Sequence, residues 1–155
     1  MKKFLPTMLL AMSLSAAVLP AAADVKIGLV LPMSGPYAAY GKQIEHGVRL
    51  YLAQHGGQLA GQKVELIIKD DTGIAPEISK RAAQELVVKH KVDFLAGFGL
   101  TPSAFAVAPL ATEAKKPMII MNAATSSITA KSNYIVRTSM TLPQKTAPMA
   151  SWAAK

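Results

Sequence analysis

Cysteine is absent from the 155 residues, and aromatic residues make up only 6% of them. The lack of cysteine excludes disulfide bonds, a thiol nucleophile and a thiol that could carry a lipid anchor. If the chain is exported, we therefore expect it to be free in its compartment rather than held at a membrane by a lipid.

Long apolar runs are also scarce. The most apolar segment, residues 4–18, is interrupted by proline and hydroxyl residues and falls short of the ~20 apolar residues that cross a bilayer. It follows two lysines and precedes Ala21-Ala22-Ala23, which is the order of a secretory signal peptide. The sequence predicts a signal peptide over residues 1–23 and no membrane insertion after its removal.

Acidic residues are few, with nine Asp and Glu against 17 Lys and Arg, and the net charge is +8. The cations are scattered, with only short clusters such as Lys115-Lys116. A nucleic-acid interface would show a basic stripe with aromatic residues between the cations. We therefore interpret the positive charge as solvated surface and expect no nucleic-acid partner.

Common catalytic signatures are missing as well. The chain has no G-x-S-x-G, G-x-x-x-x-G-K-[ST] or H-E-x-x-H motif, and Gly97-Phe98-Gly99 is only part of a dinucleotide-binding sequence. The histidines at 46, 55 and 90 fall on amphipathic helical segments, where surface positions are commoner than metal ligands. We expect a protein that is not an enzyme and has no cofactor or metal.

Short apolar segments alternate with amphipathic ones along the rest of the chain. Strands are predicted at 25–31, 64–69, 93–97, 117–122 and 134–138. Helices are predicted around Ile44, Val48 and Leu52, from Pro76 to Leu86, over 103–114 and over 144–155. This order predicts an α/β fold with an open, largely parallel, Rossmann-like sheet.

Three loops should meet at one edge of that sheet, because ligands of such folds bind beyond the carboxyl ends of strands where the strand order reverses. These loops are 32–43, 98–103 and 123–127, and they are rich in Gly, Pro, Ser and Thr. In the second loop, Thr101-Pro102 has the order of a helix N-cap followed by the first helical residue. A helix N-terminus there would direct free N–H groups at the site.

The third loop offers small residues, Ala123 and Ala124, and then the hydroxyls of Thr125, Ser126 and Ser127, a combination that suits a carboxylate or an ammonium group. Ordinary helix capping explains the hydroxyl residues of both loops equally well. In the first loop, Tyr37 and Tyr40 would either cover a ligand or cover the edge of the core.

Two further groups have an ordinary structural interpretation. The paired acids Asp70-Asp71 follow a strand, where such residues usually cap or end an element. Met118 and Met121 lie on an apolar strand and are interpreted as core residues.

Four segments together carry a family resemblance: KIGLVLPMSGPYAAYGKQIEHGVRL, the DD after the second strand, FLAGFGLTPSAFAVAPLATEAKKPMI, and the AAT after the fourth strand. They resemble the type I periplasmic solute-binding proteins of ABC importers, in the branch typified by leucine/isoleucine/valine-binding proteins. The resemblance covers the chain after residue 23. It implies a ligand-binding role for Tyr40, Gly99, Leu100, Thr101, Ala123, Ala124 and Thr125.

By this resemblance Thr101 would hold a ligand carboxylate through its hydroxyl and backbone N–H. The run Ala123-Ala124-Thr125 would provide a carbonyl for an ammonium group, and an N–H and a hydroxyl for the ionic end of the ligand. Tyr40 would form an aromatic wall, and Gly99 and Leu100 would line a side-chain pocket. Residues 24–155 would form the N-terminal lobe of a two-lobe protein, with the second lobe and the return segment of the first lobe outside the sequence.

The implied function is periplasmic capture of a small carboxylate-bearing solute, such as a branched-chain amino acid, for delivery to an ABC permease. Aromatic or other organic acids and amides stay open, because GFGLTP departs from the serine-rich amino-acid binders and RTSMTLPQ is similar to relatives that bind aromatic carboxylates. Phe98 and Pro102 could favour a flat ligand. A periplasmic sensor is the alternative role, and an exported enzyme has only the Thr and Ser residues of the loops in its favour.

Overall fold

The structure is a computed structural model that describes residues 24–155, so the predicted signal peptide lies outside the described residues. The strands are β1 (Val25–Leu31), β2 (Gln58–Leu59), β3 (Gln62–Asp70), β4 (Phe94–Gly97), β5 (Met118–Ile120) and β6 (Ile135–Arg137). The helices are α1 (Ala38–Gln54), α2 (Pro76–Val88), α3 (Thr101–Ala114) and α4 (Leu142–Ala153). Short 3₁₀ helices, Gly35–Tyr37 and Ser126–Lys131, follow β1 and β5.

The six strands form one sheet in the order β2-β3-β1-β4-β5-β6, and all neighbours pair in parallel except β2 and β3. The predicted α/β fold with an open, largely parallel sheet is confirmed. The sequence analysis missed β2, which pairs with β3 across a tight turn. Ala60 and Gly61 both have positive φ there, 50° and 79°, as a two-residue hairpin turn of type I′ requires.

Several predicted boundaries shift. The first loop was predicted to extend beyond Gly41, but α1 already begins at Ala38, so this glycine lies within the helix. The predicted helix over 103–114 begins two residues earlier, at Thr101. The predicted strand at 64–69 extends by two residues towards β2 and by one to Asp70, since pairing with β1 continues to that residue.

The core lies mainly between the sheet and the two helices α2 and α3. On α2 the buried residues Ser79, Ala82, Ala83 and Leu86 follow the spacing of one helical face. Ala83 and Leu86 belong to the same core cluster as Met118, which is fully buried, as the sequence analysis expected. The opposite face of the sheet carries a smaller cluster of Leu29, Leu31 and Ala96, partly covered by α1.

The buried carboxylate of Asp71 ties the starts of α2 and α3 to the end of β3. Its side chain is only 1% exposed, and it accepts hydrogen bonds from the Ser103 hydroxyl at 2.7 Å and from the Gly73 N–H at 3.0 Å. The Ser79 hydroxyl lies 2.8 Å from that of Ser103 and extends the network to α2. Burying a polar group is costly unless it is hydrogen-bonded, so this network fixes where both helices begin.

Helix α4 differs from the others because none of its residues is buried. Its backbone joins the lobe through the Leu142 N–H, which donates to the Ala124 carbonyl at 2.8 Å. Within residues 24–155, no helix combines the length and apolar character needed to span a bilayer.

Two glycines of α1 give a matched test of how closely the first loop packs on this helix. A Cβ at Gly41 would lie 2.2 Å from the Pro32 carbonyl oxygen, whereas a Cβ at Gly47 would meet nothing within 4 Å. We expect Gly41→Ala to lower the free energy of unfolding by about 3 kcal/mol, because the loop must move away. Gly47→Ala should raise it by about 0.5–1 kcal/mol, since alanine is the better helix former.

Urea unfolding of both variants measures the two changes. Equal effects of the two substitutions would show that the loop does not press on α1.

Candidate functional site

The strand order reverses between β1 and β4. From β1 the chain passes to β3 on one side, and then returns to β4 on the other side. Successive loops after β1 and β4 therefore leave in opposite directions and open a crevice at the carboxyl edge. Strand β5 adjoins β4, so its following loop lies at the same edge.

A cavity of about 330 Å³ lies at this edge, and we call it the strand-end cavity. It is lined by Tyr40, Gly99, Leu100, Thr101, Asn122, Ala123, Ala124, Leu142 and Lys145. Six of the seven predicted ligand-binding residues are among them. The seventh, Thr125, reaches the cavity wall through a 2.8 Å contact between its Oγ1 and that of Thr101.

The sequence analysis did not predict three residues of the wall, namely Asn122, Leu142 and Lys145. The last two come from α4, which was predicted to begin after Leu142, and the pattern gave no reason to fold this helix back onto the sheet edge. A larger groove of about 640 Å³ runs along α3 past Phe105, but its lining includes no residue of the three predicted loops.

The turn after β4 is made by two successive residues with positive φ, Gly97 at 105° and Phe98 at 57°. A Cβ at position 97 would lie 2.5 Å from the Val30 carbonyl oxygen, so only glycine fits between β4 and β1. The left-handed conformation of a phenylalanine costs about 1–2 kcal/mol. Full burial of its ring in the core offsets this cost.

This burial corrects one expectation about ligand shape. Phe98 was expected to favour a flat ligand, but its side chain points into the core and does not line the strand-end cavity. Its backbone instead organises the edge, because its N–H donates to the Val30 carbonyl at 2.8 Å and its carbonyl accepts from the Ala123 N–H at 3.1 Å.

Thr101 is not the N-cap of α3, contrary to the prediction. Leu100 occupies the N-cap position with extended φ and ψ, Thr101 is the first helical residue, and no side chain caps this end. The threonine hydroxyl is therefore available to the cavity and meets the Thr125 hydroxyl. The first N–H groups of the helix have no partner within the helix and add a positive end to the site.

Two side chains hold the third loop in place. Arg137 of β6 donates to the Ala123 carbonyl and, at 2.5 Å, to the Thr125 carbonyl. Asn122 donates through Nδ2 to the Gly99 carbonyl at 2.8 Å and so joins the loops after β4 and β5. Sequence reasoning missed both, because it assigned Asn122 to the end of a strand and did not consider a donor such as Arg137 from a later strand.

Tyr40 lies in the first turn of α1 and is 47% exposed, with one side towards the cavity. Its ring stacks near that of Tyr37, with centroids 6.3 Å apart and planes inclined by 18°. An aromatic ring in this position can cover a bound molecule while its hydroxyl stays in water.

Asp70 fastens the first loop beside the cavity. Its Oδ1 accepts from the backbone N–H of Met33 at 2.8 Å, of Ser34 at 3.3 Å and of Thr72 at 2.8 Å. Burial alone would raise the pKa of this carboxyl, but hydrogen bonds from these three residues outweigh it and hold the pKa below its usual value. Together with Asp71, it gives the paired acids the structural role expected of them.

The histidines lie elsewhere. His55 Nδ1 contacts the Tyr51 carbonyl at 2.7 Å, and His90 Nε2 lies 3.5 Å from the Glu85 carboxylate. Across the described part of the chain, no three His, Asp or Glu side chains gather around a common point where a metal ion could bind.

A sequence profile described as periplasmic binding protein matches residues 24–155, which are all the residues that the structure describes. The chain belongs to the periplasmic binding protein family. The family resemblance stated from the sequence is thereby confirmed.

Relatives of this periplasmic binding protein include proteins named for branched-chain amino acids and proteins solved with aromatic acids. It is 47% identical over 151 residues to Leu/Ile/Val-binding protein homolog 6 of Brucella abortus strain 2308, covering 97% of this chain and 38% of that protein. It also matches a solute-binding protein of an ABC transporter from Rhodopseudomonas palustris BisB5, solved with 3,4-dihydroxybenzoic acid. That match has 53% identity, a TM-score of 0.82 and coverage of 84% of this chain and 36% of the other.

A leucine-binding protein from Thermotoga maritima is also similar, with 28% identity, a TM-score of 0.77 and coverage of 84% of this chain and 37% of the other. The chain thus spans little more than a third of the length of each of these relatives.

The lowered pKa of Asp70 predicts a pH-dependent contribution to the stability of this periplasmic binding protein. A carboxyl whose pKa is lower in the folded state stabilises the fold above its unfolded pKa, about 3.9, and loses this effect as the pH falls through the folded pKa. We expect the difference in unfolding free energy between the unsubstituted protein and Asp70→Asn to be constant near neutral pH and to shrink on acidification. Urea unfolding at several pH values measures it, and a difference that does not change with pH would contradict the assignment.

Arg137→Lys tests how the third loop is held in this periplasmic binding protein. Lysine cannot donate to two carbonyls in the fork geometry of a guanidinium, so we expect unfolding to become easier by about 1–2 kcal/mol. Arg81→Lys makes the same substitution on the exposed side of α2, away from the cavity, and should leave the free energy of unfolding almost unchanged. Thermal or urea unfolding compares the two variants, and equal stabilities would argue against the role of Arg137.

Proposed function

We propose that this chain is the N-terminal lobe of a periplasmic solute-binding protein that captures a small carboxylate in the strand-end cavity. The observation that carries the proposal is the meeting of the Thr101 and Thr125 hydroxyls at the N-terminus of α3. Hydroxyls and free backbone N–H groups in such a position suit an anionic group.

The charge of the cavity wall supports an anion. Among the described residues that line it, none is Asp or Glu, and the one charged side chain is Lys145. The remaining wall is partly apolar, with Tyr40, Leu100 and Leu142 able to contact the body of a ligand. A few polar groups that fix orientation, with apolar surface around them, are typical of small-molecule sites.

Aromatic carboxylates are the first candidates. The Rhodopseudomonas palustris relative solved with 3,4-dihydroxybenzoic acid is 53% identical, and another from that species, solved with 4-hydroxybenzoate, is 50% identical. The leucine-binding protein of Thermotoga maritima is only 28% identical. These identities favour an aromatic acid over the branched-chain amino acid that the sequence analysis preferred.

Branched-chain amino acids are the second candidates, since the Brucella abortus relative carries a Leu/Ile/Val-binding name at 47% identity. An amino acid would need an acceptor for its ammonium group. The described wall contains no carboxylate, and the carbonyls of Gly99, Ala123 and Ala124 already accept hydrogen bonds from other residues.

The proposed role is transport without catalysis. The relatives are described as binding proteins or as solute-binding proteins of ABC transporters, and each is more than twice as long as this chain. We infer that a second lobe covers the ligand, that the complete protein acts in the periplasm, and that it delivers the ligand to an ABC permease. Ligand binding would then shift an equilibrium between open and closed arrangements of the lobes.

A thermal-shift screen of the complete protein tests the ligand class, using 4-hydroxybenzoate, 3,4-dihydroxybenzoate, leucine, isoleucine and valine. A ligand present at a hundredfold excess over its Kd stabilises the folded state by about 2.7 kcal/mol, which shifts the melting temperature measurably. We expect the aromatic acids to raise it and the amino acids to do so less or not at all. Stabilisation by no carboxylate would refute the proposed function.

The hydroxyl pair gives a sharper test of the site. Thr101→Val and Thr125→Val keep the side-chain shape but remove one hydroxyl each, and each should weaken carboxylate binding by about 1–3 kcal/mol. Because the two hydroxyls contact each other, the double variant should lose less than the sum of the single losses. Titration calorimetry measures all three, with Thr129→Val as the control outside the cavity wall.

Unchanged affinity in both single variants would show that the hydroxyl pair does not bind the ligand. The family assignment would be unaffected.

A further inference from the structure

We propose that Lys145 determines ligand specificity by completing the anion site and selecting solutes with a net negative charge over zwitterions and neutral amides. This inference rests on the proposed function, and it adds a residue from α4 to those implied by the family resemblance.

The position of Lys145 is fixed by the start of α4. The Gln144 Oε1 accepts hydrogen bonds from the Thr141 N–H at 2.7 Å and the Thr141 hydroxyl at 3.0 Å, as part of a capping box. The Leu142 N–H donates to the Ala124 carbonyl at 2.8 Å and seats the first turn on the third loop. Lys145 follows one turn along and therefore faces the strand-end cavity.

The charge of this lysine has no protein counter-ion among residues 24–155. The side chain makes none of the ion pairs found there, whereas Lys26, Lys69 and Lys89 each pair with a glutamate. The described wall of the cavity contains no acidic side chain that could compensate it. A lysine that lines the same cavity as Thr101 and the N-terminus of α3 makes the cavity positive as a whole.

This arrangement discriminates between ligand classes by charge. A carboxylate gains a charge-assisted hydrogen bond from the lysine, and a neutral amide of the same shape gains much less. The ammonium group of an amino acid would be repelled by the lysine over a short distance, where salt screens little. The lysine would thus favour an aromatic carboxylate over leucine, even though both carry a carboxylate.

The test uses 4-hydroxybenzoate and its neutral analogue 4-hydroxybenzamide with the complete protein. Lys145→Gln should raise the Kd for the carboxylate about tenfold, the effect of one charge-assisted hydrogen bond, and change the Kd for the amide less than about twofold. Lys80→Gln is the matched control, since Lys80 is an exposed lysine near the start of α2 and does not line the cavity. It removes the same charge and should leave both Kd values nearly unchanged.

The results distinguish a failure of the role of Lys145 from a failure of the proposed function. Equal effects of Lys145→Gln on the two ligands, or an effect no larger than that of Lys80→Gln, would overturn the role of Lys145 and leave the proposed function standing. If the unsubstituted protein bound no carboxylate, the proposed function and this inference would fail together. The melting temperature of the unliganded variant should match that of the unsubstituted protein, because the lysine is exposed and makes no ion pair within residues 24–155.

Discussion

The close approach of β4 to β1 at Gly97 is the constraint on which the cavity depends. No side chain fits there, because a Cβ would lie 2.5 Å from the Val30 carbonyl oxygen. The positive φ values of Gly97 and Phe98 then turn the chain sharply, so that Leu100 becomes the N-cap of α3 at the sheet edge. Burial of the phenylalanine ring offsets the strain of this turn, and the site therefore depends on the core directly beneath it.

The adjacent acids at the end of β3 show how one short segment serves two sides of a sheet. Successive residues of an extended segment point to opposite faces, and Asp71 directly follows the last residue of β3. Asp70 accordingly binds the loop after β1, while Asp71 is buried with Ser79 and Ser103 at the starts of the two helices on the other face. Two of the elements around the cavity are thus positioned from a strand that contributes no residue to its wall.

Much of the fold was predictable because strands and helices differ in apolar period and because glycine and proline mark their ends. The same reasoning brought Tyr40, Leu100 and Ala124 to one edge, since parallel strands end together. It assigned the wrong N-cap to α3, because a Thr-Pro pair fits both the N-cap and the first helical position, and backbone angles decide between them. The apolar period of the sequence does not reveal these backbone angles.

Arg137 and Lys145 were missed for a different reason. Arg137 binds a loop that precedes it in the chain, and Lys145 lines a cavity together with such loops. Both positions follow from how β6 and α4 fold back, not from local spacing. The two-residue strand β2 was missed because so short a segment shows no alternation of apolar and polar residues. The ligand-binding role of the cavity residues stays a prediction.

The exposed end of α4 has a practical consequence. The chain contains a single tryptophan, Trp152, which lies in the last turn of this helix and is 74% exposed. Indole fluorescence shifts to shorter wavelengths when water is removed from the ring, so a molecule that covers Trp152 will shift the emission maximum. Intrinsic fluorescence would therefore detect binding at this end of α4 without an attached dye.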